Sequence, residues 1–279
     1  MAANDRPRRL SGYGSGVPRS LWNGTILVAA MGVPVKLYSA VQSQTVSFKE
    51  VHLEDGSPIE HRRFCSAEEV EVPYKEVVKG FEVGENEYVV LEKDEITAAA
   101  GGRTRYVDVE DFVEADAIDP VYYNRAYYLG PGKDGDDAYR LLHAALSKTG
   151  RAAIGRFTFH NKEYLAAIVP LGDILALHTM NFADEVVSGG DLELAEPQRG
   201  PTEREVKMAG ALLTSLHEDF EPDRYRDEYR EAVLDLIGRK AAGEKIEAPA
   251  EEAPAEDDDD LMAALQASLD AGAQKKKGR

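Results

Sequence analysis

The sequence predicts a mainly β fold with added α: a barrel-forming body of strands followed by a helical C-terminal arm. Three observations predict it. Residues 155–182, GRFTFHNKEYLAAIVPLGDILALHTMNF, read as three strands joined at His160-Asn161-Lys162 and at Pro170-Leu171-Gly172-Asp173, and such a meander suggests a barrel. Most other elements between Leu21 and Phe182 are short, β-favouring runs. Beyond Pro201 the apolar period becomes helical.

Taken in order, residues 1–18 are polar, contain Gly and Pro, and carry Arg6, Arg8 and Arg9, which predicts a disordered basic arm. The body spans 19–200. Its first stretch, RSLWNGTILVAAMGVPVKLYS, is too short to span a membrane, because a span needs about 20 apolar residues and this run stops at Lys36 with Gly32 and Pro34 inside it. A secretory leader fits poorly: the basic segment is long and Gly-rich, Pro34 falls where a helix is needed, and no clear small-x-small site precedes a polar start. Two strands joined at a kink, with Gly32 as the bend, account for the pattern better. Alternation predicts further strands in VSFKEVHL (46–53) and RTRYVDVEDFV (103–113). DDAYRLLHAALSKTG predicts one helix starting at Asp136 or Asp137, with Leu141, Leu142, Ala145 and Leu146 as its apolar face and Gly150 as its stop.

The arm is predicted over 201–243. Thr202 and Glu205 have capping-box spacing, and Val206, Ala209, Leu213, Leu216 and Phe220 form one face. A second helix follows Pro222-Asp223, with Tyr225, Tyr229, Ala232, Val233, Leu236, Ile237 and Lys240 on one side and Gly243 at its end. Two amphipathic helices after a β body imply an arm packed on another surface. Residues 244–256 read as an acidic flexible linker. Residues 257–279 hold a last helix, in which Asp257 to Asp260 suit a helix N-terminus and Leu261, Leu265 and Leu269 fall at i, i+4, i+8. A helix this short orders on a partner.

Composition narrows the chemistry. The single cysteine, Cys65, excludes an intrachain disulfide and fits a reducing compartment. The formal charge of −18 argues against nucleic acid at first sight. It is unevenly spread: residues 244–260 hold nine acids and one base, whereas residues 1–36 hold Arg6, Arg8, Arg9, Arg19 and Lys36 against Asp5. A local basic surface is therefore compatible with an acidic whole.

No catalytic set emerges. GPGKDGDD (130–137) superficially resembles a phosphate loop, but Asp134 follows Lys133 where Ser or Thr would bind magnesium, so a polar turn before a helix explains it. His52, His61 and Cys65 lack the paired cysteine of a zinc set, since position 68 is Glu68. No serine stands in a nucleophile-elbow setting, and the acids show no spacing that recommends a two-metal nuclease. The chain reads as a binder, without cofactor, metal or catalytic residues.

At this point five segments carry a family likeness: WNGTILVAAMGVPVKLYSA, VPYKEVVKGFEVGENEYVVLEKDEI, VDVEDFVEADAIDPVYYNRAYYLGP, KEYLAAIV and EYREAVLDLIGRKAAGE. In order and spacing the chain resembles the bacterial Ku proteins of non-homologous end joining, from about Leu21 to Gly243 and again over the terminal helix. The resemblance implies a Ku-type β-barrel core with a DNA-encircling bridge at about 59–82, followed by the helical arm as a dimer-embracing segment. It implies a ring-shaped homodimer threaded by double-stranded DNA ends, and a cytoplasmic, nucleoid-associated protein. The terminal helix, through Leu261, Met262, Leu265 and Leu269, would recruit an ATP-dependent polyfunctional DNA ligase, which does the covalent chemistry.

The residues expected to line the ring are Arg62, Arg63, Lys75 and Lys79 from the bridge, with Lys36 and Arg156 from the body. The bridge also carries Glu60, Glu68, Glu69, Glu71, Glu76 and Glu82, so its acids must face away from DNA. Many relatives have Cys-x-x-Cys-Gly where this chain has Cys65-Ser66-Ala67-Glu68-Glu69, so any metal or redox role of that pair does not carry over. The alternative is an adaptor without DNA binding, because Leu261, Ala264 and Ser268 after an acidic run also resemble a ubiquitin-interacting motif.

Overall fold

The computed structural model describes residues 19–99, 105–160, 162–192 and 199–245. The N-terminal arm, most of the acidic linker and the terminal helix lie outside the described residues. Among those described, β1 (Trp22–Val28), β2 (Met31–Ser39), β5 (Tyr106–Glu114), β6 (Tyr123–Pro131), β7 (Arg151–Phe159), β8 (Lys162–Leu171) and β9 (Ile174–Met180) close a barrel in the order β1-β2-β6-β9-β8-β7-β5. Two further strands, β3 (Lys79–Gly84) and β4 (Glu87–Leu91), pair only with each other.

The barrel forms because alternate residues along each strand are apolar and turn inward. Ile26, Val33, Val35, Leu37, Val107, Leu129, Ile168, Leu175 and Leu177 are fully buried there. Each such side chain contributes roughly 1.5–3 kcal/mol on burial, so the barrel is where the chain's stability resides. The meander joins as the sequence predicts, with β7, β8 and β9 antiparallel neighbours. The first two strands differ from expectation. They form a tight hairpin in which Val28 faces Met31, the turn is Ala29-Ala30 with Ala29 at φ 51°, and Gly32 is a strand residue opposite Leu27. The bend belongs to the alanines because the β1–β2 register fixes the turn there, and no local signal marks it.

Pro34 explains the glycine-rich segment. Gly132 N–H donates to the Pro34 carbonyl at 2.8 Å, and a Cβ on Gly132 or Gly135 would lie 2.8 Å from Pro34 C or 2.7 Å from its oxygen. These glycines serve close packing. Helix α2 (Asp136–Thr149) follows, ended by Gly150 in a left-handed conformation at φ 66°. Gly135 occupies the N-cap, and Asp136 and Asp137 lie in the first turn, where the helix dipole favours acids. The buried face is Tyr139, Leu142 and Leu146; Leu141 is 61% exposed, contrary to expectation. Tyr139 takes its place because its ring reaches the barrel core while its hydroxyl is satisfied there: it donates to Leu129 O at 2.6 Å and accepts from Leu175 N at 2.8 Å. Burial pushes its phenol up from the ordinary range. Tyr139→Phe leaves a carbonyl and an N–H unpaired in the core and is expected to cost about 1–3 kcal/mol, read as a lower urea midpoint at unchanged slope.

The region between β2 and β5 is an insertion. Because β5 runs parallel to β1 and β2 antiparallel to it, β2 ends and β5 begins at the same end of the barrel. The start of β6, the β7–β8 turn and the end of β9 share that end, while α2 packs at the other. No described residue between Ser39 and Tyr106 is buried. The strand expected over 46–53 is not there; Val51 makes only an isolated bridge to Pro58. Alternation makes a strand only where a neighbouring edge accepts its hydrogen bonds.

The insertion instead contains two turns of one design. His52 N–H donates to Ser57 O and Gly56 N–H to His52 O; thirteen residues on, Cys65 N–H donates to Val70 O and Glu69 N–H to Cys65 O. Val51–Pro58 and Phe64–Glu71 close them, and Gly56 and Glu69 both have positive φ, 70° and 55°. This internal repeat was not legible from composition, since its corresponding residues differ in type. Short helix α1 (Lys93–Ala99) is the last regular element among the insertion's described residues.

Gln44–Glu50 and the described residues from Leu192 on form a second compact unit. It holds α3 (Glu203–Ser215) and α4 (Glu228–Ala241). The predicted capping box is present: Glu205 N–H donates to Thr202 Oγ1 at 3.3 Å, and Thr202 N–H to Glu205 Oε2 at 2.6 Å. Arg199 clasps the same carboxylate with contacts of 3.0 and 2.7 Å. The Arg199 guanidinium, then the Thr202 donors, hold Glu205 well below the usual carboxylate range. The predicted apolar face is exposed, with Leu213 at 72% and Phe220 beyond the end of α3. In α4, Asp227 is the N-cap, so Tyr225 precedes the helix and stacks on Phe220.

Candidate nucleic-acid interface

The six cations expected to face nucleic acid are not equivalent. Arg62 stands beside the second repeated turn, with Nη1 3.2 Å from Glu71 and Nη2 3.7 Å from Glu60. Arg63 lies over the Tyr74 ring at 5.0 Å, and Lys75 is 3.7 Å from Glu76. Lys79 opens β3 opposite Leu91 and makes no ion pair with a described residue. Lys36 is on β2, opposite Asn23 and Gly130, and is likewise unpaired among the described residues. Arg156 projects from the outer face of β7, between Glu110 at 3.2 Å and Glu163 at 3.7 Å.

Half-exposed pairs of this kind are worth only about 0–1 kcal/mol, so a phosphate competes for the guanidinium without a large penalty. It meets the carboxylates too, however, and Arg156 with two of them presents little net positive charge. Glu60 and Glu71 thus stand beside Arg62, and Glu76 beside Lys75, whereas Lys36, Arg63 and Lys79 make no ion pair with a described residue.

A second feature of the insertion went unread in the sequence. In the β3–β4 hairpin, Lys79, Phe81, Val89 and Leu91 share one face, and Glu82, Tyr88 and Val90 share the other. Both faces are bare, with Phe81 65% and Tyr88 56% exposed. An isolated two-stranded hairpin is marginal in water, and apolar residues on both faces require covering on both. The signal was available: FEVGENEYVVL has apolar residues at odd and even positions alike.

The structure also gathers cations that the sequence reading passed over. At the barrel end from which the insertion leaves, Arg125 at the start of β6 and Lys162 at the start of β8 border a cavity of about 330 Å³ with Asn124, His160, Tyr164 and Thr179. Lys162 lies over the Tyr164 ring at 5.3 Å.

A scan against family models matches residues 28–208 to the Ku family, described as the Ku70/Ku80 beta-barrel domain. That span contains the whole closed barrel except the first strand, and the hairpin insertion with it. The chain belongs to the Ku family. Among curated relatives, it is 46% identical over 252 residues to a non-homologous end joining protein Ku of Anaeromyxobacter sp. (strain K), covering 90% of this chain and 85% of that one. It is 36% identical over 266 residues to the Ku protein of the same description from Opitutus terrae, covering 94% and 96%. The corresponding protein of Bacillus subtilis is 32% identical over 253 residues, covering 90% and 81%. The Ku β-barrel is therefore the frame to which these cations and apolar faces belong.

Proposed function

We propose that the chain binds double-stranded DNA ends, independently of sequence, as a ring-shaped homodimer, and recruits an ATP-dependent polyfunctional DNA ligase for double-strand break repair by non-homologous end joining. Beyond family membership, one observation carries the reading. No described residue of the insertion is buried, yet it exposes Phe64, Phe81 and Tyr88, and a second copy in two-fold arrangement would cover what one copy leaves bare. Backbone contacts by Lys36, Arg62, Arg63, Lys75, Lys79 and Arg156 then supply affinity without base preference. The ligase contact rests on the sequence likeness of Leu261, Met262, Leu265 and Leu269.

Titrating a linear duplex across monovalent salt tests the DNA-binding step. Log affinity is expected to fall linearly with log salt, by roughly 0.9 per phosphate neutralised, with equal curves for duplexes of unrelated sequence. Absence of binding at low salt overturns the reading.

A further inference from the structure

The cavity at the barrel end has an unusual composition for a chain of charge −18: no carboxylate stands among its described lining residues. Resting on the DNA-binding reading above, we propose that this mouth is a phosphate-binding site, with Arg125 and Lys162 as its contacts to nucleic acid.

Alternation creates the site. On β8, Lys162 and Tyr164 turn to the barrel interior while Glu163 turns out to pair with Arg156, so one strand sends its cation to the mouth and its acid to the wall. Arg125 and Lys162 make no ion pair with any described residue, in contrast to Arg156 and Arg62. The backbone around them is fixed. Arg125 N–H donates to Thr179 Oγ1 at 3.1 Å, and Asn124 Nδ2 donates to Asn181 Oδ1 at 3.1 Å. Lys162 is steadied over the Tyr164 ring, and the His160 ring packs on Phe159 at 4.1 Å. A guanidinium fork and an ammonium converging on one concavity suit a phosphate, which the fork can grip through two oxygens and the ammonium as a point charge.

Topology adds an independent argument. The insertion leaves after β2 and returns before β5 at this same end, so the mouth opens toward the root of the segment that the Ku reading makes the bridge. Unpaired cations there neutralise phosphate without first giving up a carboxylate.

The test uses the full chain and a blunt linear duplex, with 5′-phosphate or 5′-hydroxyl ends. Arg125→Gln with Lys162→Gln is expected to weaken binding about tenfold at moderate salt and to reduce the log–log salt slope by about 1.8, roughly 0.9 for each single variant. The charge-preserving pair Arg125→Lys with Lys162→Arg is expected to keep the parent slope, which separates lost charge from disturbed folding. Equal losses on both duplexes mean an internal phosphodiester is bound; a loss confined to phosphorylated ends means a terminal monoester. Parent-like affinity and slope in the double glutamine variant, at an unchanged unfolding midpoint, would overturn the site while leaving the Ku reading intact. A parent chain that fails to bind either duplex removes both.

Discussion

A linear duplex is expected to be retarded by this protein, and a covalently closed circle of the same sequence is expected not to be. Lys and Arg that grip phosphates find the same chemistry at every position along a duplex, so contact alone gives no preference for an end. A closed collar does, because a circle offers no free terminus to enter it. The expected discrimination is on the order of 100-fold, equivalent to about 2.7 kcal/mol. Joining the ends of a loaded linear fragment should then trap the protein, seen as dissociation slowed well beyond that from open DNA. Equal retardation of both forms would mean open-faced binding, and the ring would have to be abandoned even if affinity were high.

The second large effect concerns the β3–β4 hairpin. Phe81→Asp with Val90→Asp places a carboxylate on each bare face of that hairpin. If a second copy covers these faces, both charges are buried on association, and central interface positions of this type cost about 2–4 kcal/mol each. Sedimentation is expected to show the mass of one chain where the parent shows two, with DNA retention lost. The barrel should keep its thermal midpoint, because no residue of the hairpin belongs to the barrel core. A double variant that remains dimeric and still binds DNA ends would show that the hairpin faces something else.

Tyr139 and Arg156 show where sequence reading reached and where it stopped. The meander from Arg151 to Met180 was legible because strand alternation and turn residues are local signals, and its two joints fall where His160 and Gly172 take up positive φ. The capping box at Thr202 was legible for the same reason: its partners are three residues apart. The α2 helix was read correctly in extent but rotated in its buried face, since Tyr139 counts as buried only once Leu129 and Leu175 are there to receive its hydroxyl. VSFKEVHL alternates yet forms no strand, and its one pairing among the described residues is the isolated Val51–Pro58 bridge.

The choice of cations divides in the same way. Sequence position could nominate Arg156, but its acids come from Glu110 and Glu163, one on a neighbouring strand from far along the chain and the other across the turn. Arg125 and Lys162 are 37 residues apart and meet only because β6, β9 and β8 stand side by side.

By itself the sequence determined the family, the strand-rich body, the helical arm and its cap, because these are written in periodicity and in segments whose order survives without coordinates. Tertiary structure alone decided which cations are cancelled by carboxylates, which remain open at the barrel mouth, and which apolar faces are left without cover. Charge pairing and burial are sums over neighbours in space, and closing the barrel brings together residues that the linear chain keeps apart.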